Sequence, residues 1–295
     1  MIIWGMVGNS HDASIAVFKD MKLQKMYTSQ DRVHSDELVA KACHTNMAGP
    51  DLIVWYEHPF RKATRQLYAG QPKPFSRNRV KKYIKKLGIS APIKYVSHHL
   101  AHAAHYYNSW FTDATVIVID SIGEWDTTTI WQAQGDTLKK KYSTRYPDSL
   151  GLFYSSMTKR CGLVPQKDEA KIDQWKGYVD PIVKKAIEDD LIIPHKWKPM
   201  FTTNMHRGIG WWRPTFTPEE IAPAAQQVFE DLVMKISDYA SSKLPSTNLV
   251  LSGGCAFNRG VRDKLNKKWD QVYYPPNPGD AGSAETCVLA YLRNL

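Results

Sequence analysis

Between Ser97 and Thr129 the chain reads SHHLAHAAHYYNSWFTDATVIVIDSIGEWDTTT. The spacing predicts a helix, on which His98 and His102 stand at i and i+4. Side chains four apart project from one helical face, so two imidazoles there can share one ion. His99 is an alternative first member of the pair. His105 lies one turn beyond His102 and reads as an outer partner or a surface residue. An apolar strand, Val116 to Ile119, then delivers Asp120 to a turn, from which a carboxylate can approach the same ion. Asp280, in the loop-to-helix junction PPNPGDAGSAET, is the expected fourth ligand. Two imidazoles with two carboxylates suit Fe(II), Mn(II) or Zn(II).

Other polar turns supply groups of a different kind. LVLSGGCAFN, Leu249 to Asn258, reads as a strand, a double glycine and a helix start. Gly253 and Gly254 let a planar or phosphorylated ligand approach the backbone, and a helix amino end favours anions. Beside Asp120, Gly123 and Glu124 begin a turn that offers a carboxylate and then a run of threonines. His11, in the turn Gly8 to Asp12, is placed to act as a general base on a hydroxyl if that turn faces a cleft.

The elements that must hold these groups follow from periodicity. Met1 to Val7, Ala13 to Phe18 and Leu23 to Ser29 read as three strands joined by polar turns. Val116 to Ile119, Thr127 to Gln134 and Leu138 to Tyr142 repeat that opening. Leu52 to Tyr56, Ile93 to Val96, Leu249 to Leu251 and Gln271 to Tyr274 are further strands. Helices are expected from Ser35 through Cys43, around Val80 to Leu87, over Leu150 to Arg160, over Pro181 to Asp189 and from Asn258 to Lys268. Another starts at Thr217-Pro218-Glu219-Glu220 and runs to about Lys243, bending near Pro223. The closing helix spans Asp280 to Leu295. This pattern implies an α/β protein built on the duplicated actin/hexokinase-like (ASKHA) plan, two lobes over a central cleft. The expected lobes are 1–112, with the histidines, and 113–295, with the nucleotide and donor motifs.

The 295 residues carry a formal net charge of +10, unevenly distributed. Arg61 to Lys86 contains no acidic residue, and aromatic side chains interleave with the basic ones. Arg77, Arg79, Lys81, Lys82 and Lys85 are the expected phosphate contacts. His195 to Arg213 is a second acid-free stretch, read as irregular and ordered by a partner, with Trp197, Trp211 and Trp212 as stacking faces. Cations with aromatic faces suit a nucleic-acid groove. No apolar run reaches the roughly 18 residues of a membrane span. The amino terminus lacks a signal-peptide pattern. Cys43, Cys161, Cys255 and Cys287 are scattered, so reduced thiols and a cytoplasmic location are expected.

Six stretches, taken in order, resemble one family. They are GNSHDASIAVF (Gly8 to Phe18), HHLAHAAHYY (His98 to Tyr107), VIVIDSIGEWDTTTIW (Val116 to Trp131), SLGLFYSSMTKRCG (Ser149 to Gly162), LSGGCAFN (Leu251 to Asn258) and PPNPGDAGSAET (Pro275 to Thr286). The set is similar to the O-carbamoyltransferases of the nodulation-factor, cephamycin and tobramycin type. More distantly it resembles the metal subunit of the tRNA threonylcarbamoyl-transfer machinery. The resemblance implies one divalent metal, Fe2+ first, on His98, His102, Asp120 and Asp280. It places the functional histidine at His11, the nucleotide-facing motif at Gly253, Gly254 and Asn258, and a donor lysine at Lys171. The stretch DEAKIDQWKGYVD around Lys171 departs from the family pattern.

Typical members also carry a carboxy-terminal domain that makes carbamoyl-adenylate from carbamoyl phosphate and ATP. This chain ends soon after Asp280, so that domain is expected to be absent. The donor is then carbamoyl phosphate itself, or carbamoyl-adenylate supplied by a partner protein. Some bacteriophage members carbamoylate hydroxymethylated pyrimidines in DNA, and the basic stretches resemble that branch, which would act in the host cytoplasm. The competing readings are a small sugar or nucleotide acceptor, and a non-catalytic nucleotide-binding subunit of a nucleic-acid modification complex. An actin-type kinase ranks last, because it would hold Mg2+-ATP with carboxylates and no histidines.

Overall fold

The computed structural model describes residues 1–9, 12–29, 38, 42, 49–175 and 177–293. The expected helix from Ser35 to Cys43 lies outside the described residues except for Leu38 and Ala42, both helical and buried.

Two five-stranded sheets dominate. The first holds β1 (Ile2–Val7), β2 (Ser14–Lys19), β3 (Lys22–Thr28), β4 (Leu52–Trp55) and β5 (Ile93–Tyr95), in the order β3-β2-β1-β4-β5. The second holds β6 (Asp113–Gly123), β7 (Asp126–Gln134), β8 (Thr137–Arg145), β11 (Asn248–Ser252) and β12 (Gln271–Tyr273), in the order β12-β11-β6-β7-β8. Read from the hairpin edge, the two orders are the same. Each sheet is an antiparallel three-stranded meander extended by two parallel strands. The repeated strand pattern of the sequence is therefore a repeated fold.

The central strands are apolar because both their faces are covered. Ile3, Trp4, Ile53, Val54 and Trp55 are fully buried in the first sheet, as are Val116, Val118 and Ile119 in the second. The edge strands β3 and β8 carry exposed lysines instead, which discourages pairing with another chain.

Four helices of the first half follow β4: α1 (Pro59–Tyr68), α2 (Pro74–Arg77), α3 (Val80–Lys86) and, after β5, α4 (His98–Ala103). The second half adds α5 (Leu150–Arg160), α6 (Glu169–Gln174) and α7 (Pro181–Leu191). A short ribbon of β9 (Ile192–Ile193) and β10 (Met200–Phe201) precedes α8 (Pro218–Lys243). Then come α9 (Arg259–Asn266) and α10 (Ser283–Arg293).

Helix α8 starts where its capping residues predict. The Thr217 amide donates to Glu220 Oε2 at 2.7 Å and the Glu220 amide to Thr217 Oγ1 at 3.4 Å. It continues through Pro223 as one helix.

Helix α10 was expected among the elements of the second lobe, yet it packs on the first sheet. Ala284, Cys287, Val288 and Ala290 belong to the same core as β1 and β4. Gly5 permits that approach, since a Cβ there would lie 1.7 Å from the Ala284 carbonyl oxygen. The chain thus returns to its first half at the end, carrying Asp280 toward α4.

Among the described residues, no helix is long and apolar enough to cross a membrane. Cys161, Cys255 and Cys287 are free thiols, and Cys43 lies outside the described residues.

Candidate metal centre and cleft

Helix α4 turns His98 and His102 to one side, with their Nε2 atoms 3.1 Å apart. Strand β6 loses its regular pairing with β7 after Ile119. Such an irregularity re-aims a side chain. Asp120 accordingly reaches α4, with Oδ2 3.1 Å from His98 Nε2. Its Oδ1 accepts the Gly254 amide at 3.2 Å. From the turn before α10, Asp280 Oδ1 stands 3.2 Å from His102 Nε2 and 3.4 Å from His98 Nε2. One ligand atom from each of the four residues lies within 4.8 Å of the others, and all four side chains are largely buried.

His99 faces elsewhere: its Nδ1 lies 2.9 Å from Thr129 Oγ1 on β7. His98 is thus the partner of His102. His105 is not at the surface; it is buried, and among the described residues neither ring nitrogen has a polar partner.

The electrostatics of the cluster are those of tightly coupled opposite charges. Burial works against a charged His98, but Asp280 and Asp120 outweigh it and raise its pKa well above the ordinary value. Burial likewise opposes the charged form of Asp280, and His98 and His102 overcome it, holding the carboxyl well below the carboxylate range. Asp120 is brought to about 2 against the pull of burial, chiefly by its bond to His98. Buried imidazoles and ionised carboxylates converging on one point can serve as donors to a divalent ion.

Gly123 and Glu124 support this cluster. A Cβ on Gly123 would lie 2.3 Å from His98 Cδ2 and 2.6 Å from His99 Cδ2, so the turn can pass only as glycine. Buried Glu124 accepts the His58 amide at 2.7 Å and the His98 amide at 3.2 Å, which fixes the start of α4. Glu124 also lines the cleft; Gly123 is turned against the histidines.

The cleft has a volume of about 1180 Å3, and His98, Asp120 and Asp280 form part of its wall. Asn9 and Asp12 also line it, whereas His11 lies outside the described residues. Gly253 adopts φ +88° beside the Ile119 backbone, and Gly254 faces the cleft.

The amino end of α9 was expected to receive an anion, but the protein's own side chains occupy it. Asn258 Oδ1 accepts the Val261 amide at 3.0 Å. Asp173 accepts the Arg259 and Gly260 amides at 3.1 and 3.2 Å. Asn258 lines the cleft while bonded to Gln226 and Tyr154.

Lys171 does not face the donor space. Ile172 on α6 is fully buried, which turns Lys171 outward to pair with Asp168 at 3.0 Å. Lys167 lines the cleft instead.

Arg77, Arg79, Lys81, Lys82 and Lys85 are exposed on α2, α3 and the turn between them. Among the described residues none of them has a carboxylate within 4.0 Å. The second expected surface is different. Trp197 and Trp212 are 6% and 1% exposed and belong to the core around α5 and α8. Trp197 stacks on Tyr239, and Trp212 Nε1 donates to Asp190 at 3.0 Å. Of the three tryptophans only Trp211, 65% exposed, is available to a partner. The stretch is irregular as expected, with only β10 and a 3-10 turn in it, yet it is packed, because Phe201, Met205 and Ile209 anchor it at intervals.

Reading the residues missed Arg65, Glu57 and Asp173, all of which line the cleft. Arg65 carries no local mark, since it sits in a run of basic residues that otherwise reads as a solvated face.

The matching sheet orders, with a cleft between motifs of the two halves, define an actin/hexokinase-like protein. The comparison with solved structures agrees. Component A of (R)-2-hydroxyglutaryl-CoA dehydratase from Acidaminococcus fermentans superposes with a TM-score of 0.58 at 13% identity, covering 100% of both chains. HypF from T. kodakarensis gives 0.51 at 14% identity, over 99% of this chain and 48% of that one. Residues 57–288 match the family described as carbamoyltransferase N-terminus, and the chain belongs to that family. It is 30% identical over 258 residues to the uncharacterized protein sll1178 of Synechocystis sp., covering 76% of this chain and 42% of that protein. The uncharacterized protein MJ1051 of Methanocaldococcus jannaschii is 26% identical over 223 residues, covering 70% and 42%. The chain spans less than half the length of these two relatives.

Proposed function

We propose that this chain is a metal-dependent O-carbamoyltransferase that moves a carbamoyl group onto the hydroxyl of a hydroxymethylated pyrimidine in DNA. The observation that carries the reading is the convergence of His98, His102, Asp120 and Asp280 on the wall of a large cleft, in a member of the carbamoyltransferase family. These four residues would hold the divalent ion, with Fe2+ as the first choice. When bound, such an ion supplies Lewis acidity toward a carbonyl oxygen.

The chain's own residues do the rest. Glu124 and Gly123 keep the α4 histidines in place. His11 is the proposed base that takes the acceptor's proton as its oxygen attacks the carbamoyl carbon, and the bond from that carbon to the phosphate oxygen breaks to release phosphate, or AMP from the adenylate. Its neighbours Asn9 and Asp12 on the cleft wall support that role. Lys167 and Gly254 face the space in which the donor would lie. The donor is carbamoyl phosphate, or carbamoyl-adenylate made with ATP by a partner protein.

The acceptor follows from charge. Arg77 is part of the cleft wall, and Arg79, Lys81, Lys82 and Lys85 are exposed on the segment that follows it. A base in a duplex would have to leave the stack, or come from a single strand, to reach the cluster. Burial of Trp197 and Trp212 favours a second reading, in which the acceptor is a free nucleotide or sugar.

The test is incubation of the protein with carbamoyl phosphate, with and without ATP, or with carbamoyl-adenylate, and in parallel with DNA containing hydroxymethylcytosine, free nucleotides and sugars, followed by mass measurement of the products. A gain of one carbamoyl group on the polymer supports the first reading. A gain only on free nucleotides or sugars supports the second, and no transfer to any acceptor with either donor overturns both.

A further inference from the structure

Among the described residues no other arginine or lysine is as buried as Arg65, which is 6% exposed. Its Nε donates to the Glu124 carbonyl oxygen at 3.1 Å, and the guanidinium carbon lies 5.8 Å from the centre of the Tyr146 ring. Neither contact supplies a negative charge. Among the described residues no carboxylate lies within 4.0 Å of the guanidinium, and no acceptor is found for either Nη group. Glu57, also on the cleft wall, already spends its carboxylate on Lys62 at 2.6 Å. Burial disfavours the charged guanidinium, and the charge of Glu57 acts on it without contact. A buried cation with no carboxylate against it is costly, and such a group is a candidate to pair with an arriving anion. Arg65 lines the same cleft as the histidine–aspartate cluster. Glu124 connects the two directly, since its carbonyl holds Arg65 and its carboxylate holds the His98 amide.

We propose that Arg65 is the receptor for a phosphate oxyanion of a substrate lying in the cleft. Its planar fork matches two phosphate oxygens at once, which a lysine cannot do. Gln66 and Arg77 line the same wall and can surround the remaining oxygens. The amino end of α9 is closed by Asp173 and Asn258, so this wall takes over the anion-binding task expected there. Which substrate brings the phosphate rests on the carbamoyl-transfer reading: it is either the donor or a nucleotide unit of the acceptor. Phosphate binding itself does not depend on that reading.

Calorimetry on the full chain tests the assignment without turnover, using inorganic phosphate, carbamoyl phosphate, deoxycytidine monophosphate and deoxycytidine as probes. The wild-type chain is expected to bind inorganic phosphate saturably. Arg65→Gln should weaken that binding roughly 10- to 100-fold, and Arg65→Lys by about 10-fold. Selective loss of carbamoyl phosphate binding in the variants assigns the site to the donor. Equalised binding of the nucleotide and the nucleoside assigns it to the acceptor. Absence of phosphate binding to the wild-type chain overturns the proposal. So does unchanged affinity in a variant that melts within a few degrees of wild type. If Arg65→Gln fails to fold, the Arg65→Lys titration decides in the same way.

Discussion

Replacing Asp280 by Asn removes one anionic ligand from the cluster while preserving the shape of the side chain. Loss of a residue that merely orients a ligand typically weakens metal binding 10- to 100-fold, so loss of a direct ligand should exceed about 100-fold. Asp280→Asn is expected to keep its helical content and to lose its metal on dialysis, with elemental analysis giving the ratio of metal to protein.

A second test concerns His105, whose pKa is lowered to about 3 by burial and then by His102. In the unfolded chain it takes up a proton near its ordinary value of 6.5. Between these two values the unfolded state binds the extra proton, so stability is present above the upper value and falls with falling pH. The slope from this one group is about 1.4 kcal/mol per pH unit. His105→Leu should flatten the acid side of the stability curve in urea melts recorded from pH 7 to pH 4. An unchanged slope would mean that His105 is not held neutral by the fold.

Elements decide how closely these residues can meet. The end of β6 passes α4 at a distance that leaves no room for a Cβ at position 123. Gly123→Ala should therefore displace the His98 ring and weaken metal retention by at least about 10-fold. Thr217→Ala is the matched control on the second half. It removes one partner of the capping box, which costs about 1 kcal/mol and lowers the melting temperature by about 2 °C. Metal content should stay at the wild-type level, because α8 contributes no ligand. If both variants lose metal alike, the effect at position 123 is general destabilisation rather than displacement of a ligand.

On the scale of the molecule, the net charge of +10 rests heavily on Arg61 to Lys86, which holds no acidic residue and includes Arg77 on the cleft wall. A polymeric acceptor would release condensed counterions on binding, so its affinity should fall steeply as salt rises. Replacing Lys81, Lys82 and Lys85 by Ala should reduce the slope of log affinity against log salt by about one for each phosphate that is no longer neutralised. A free nucleotide would show a shallow slope that these substitutions leave unchanged. Fluorescence anisotropy with labelled oligonucleotides over a salt series measures the difference.

Several features were legible without coordinates, because local patterning controls them. Alternating and continuous apolar runs marked both three-stranded meanders, and the i,i+4 spacing brought His98 and His102 to one face as soon as α4 formed. Asp280 is 178 residues from His102, yet the duplicated strand pattern suggested a second half from which a carboxylate could approach. Tertiary structure alone decided what each polar or aromatic group meets. His99 turned to Thr129, Trp197 and Trp212 went into the core, and Asp173 closed the end of α9. Arg65 and Arg77 belong to one basic run, but only Arg65 is buried, against Tyr146 from the far end of β8. The helical period records which side chains share a face. What lies over that face comes from distant segments, and the free energy of burying a charge or a ring depends on those neighbours rather than on its own stretch of chain.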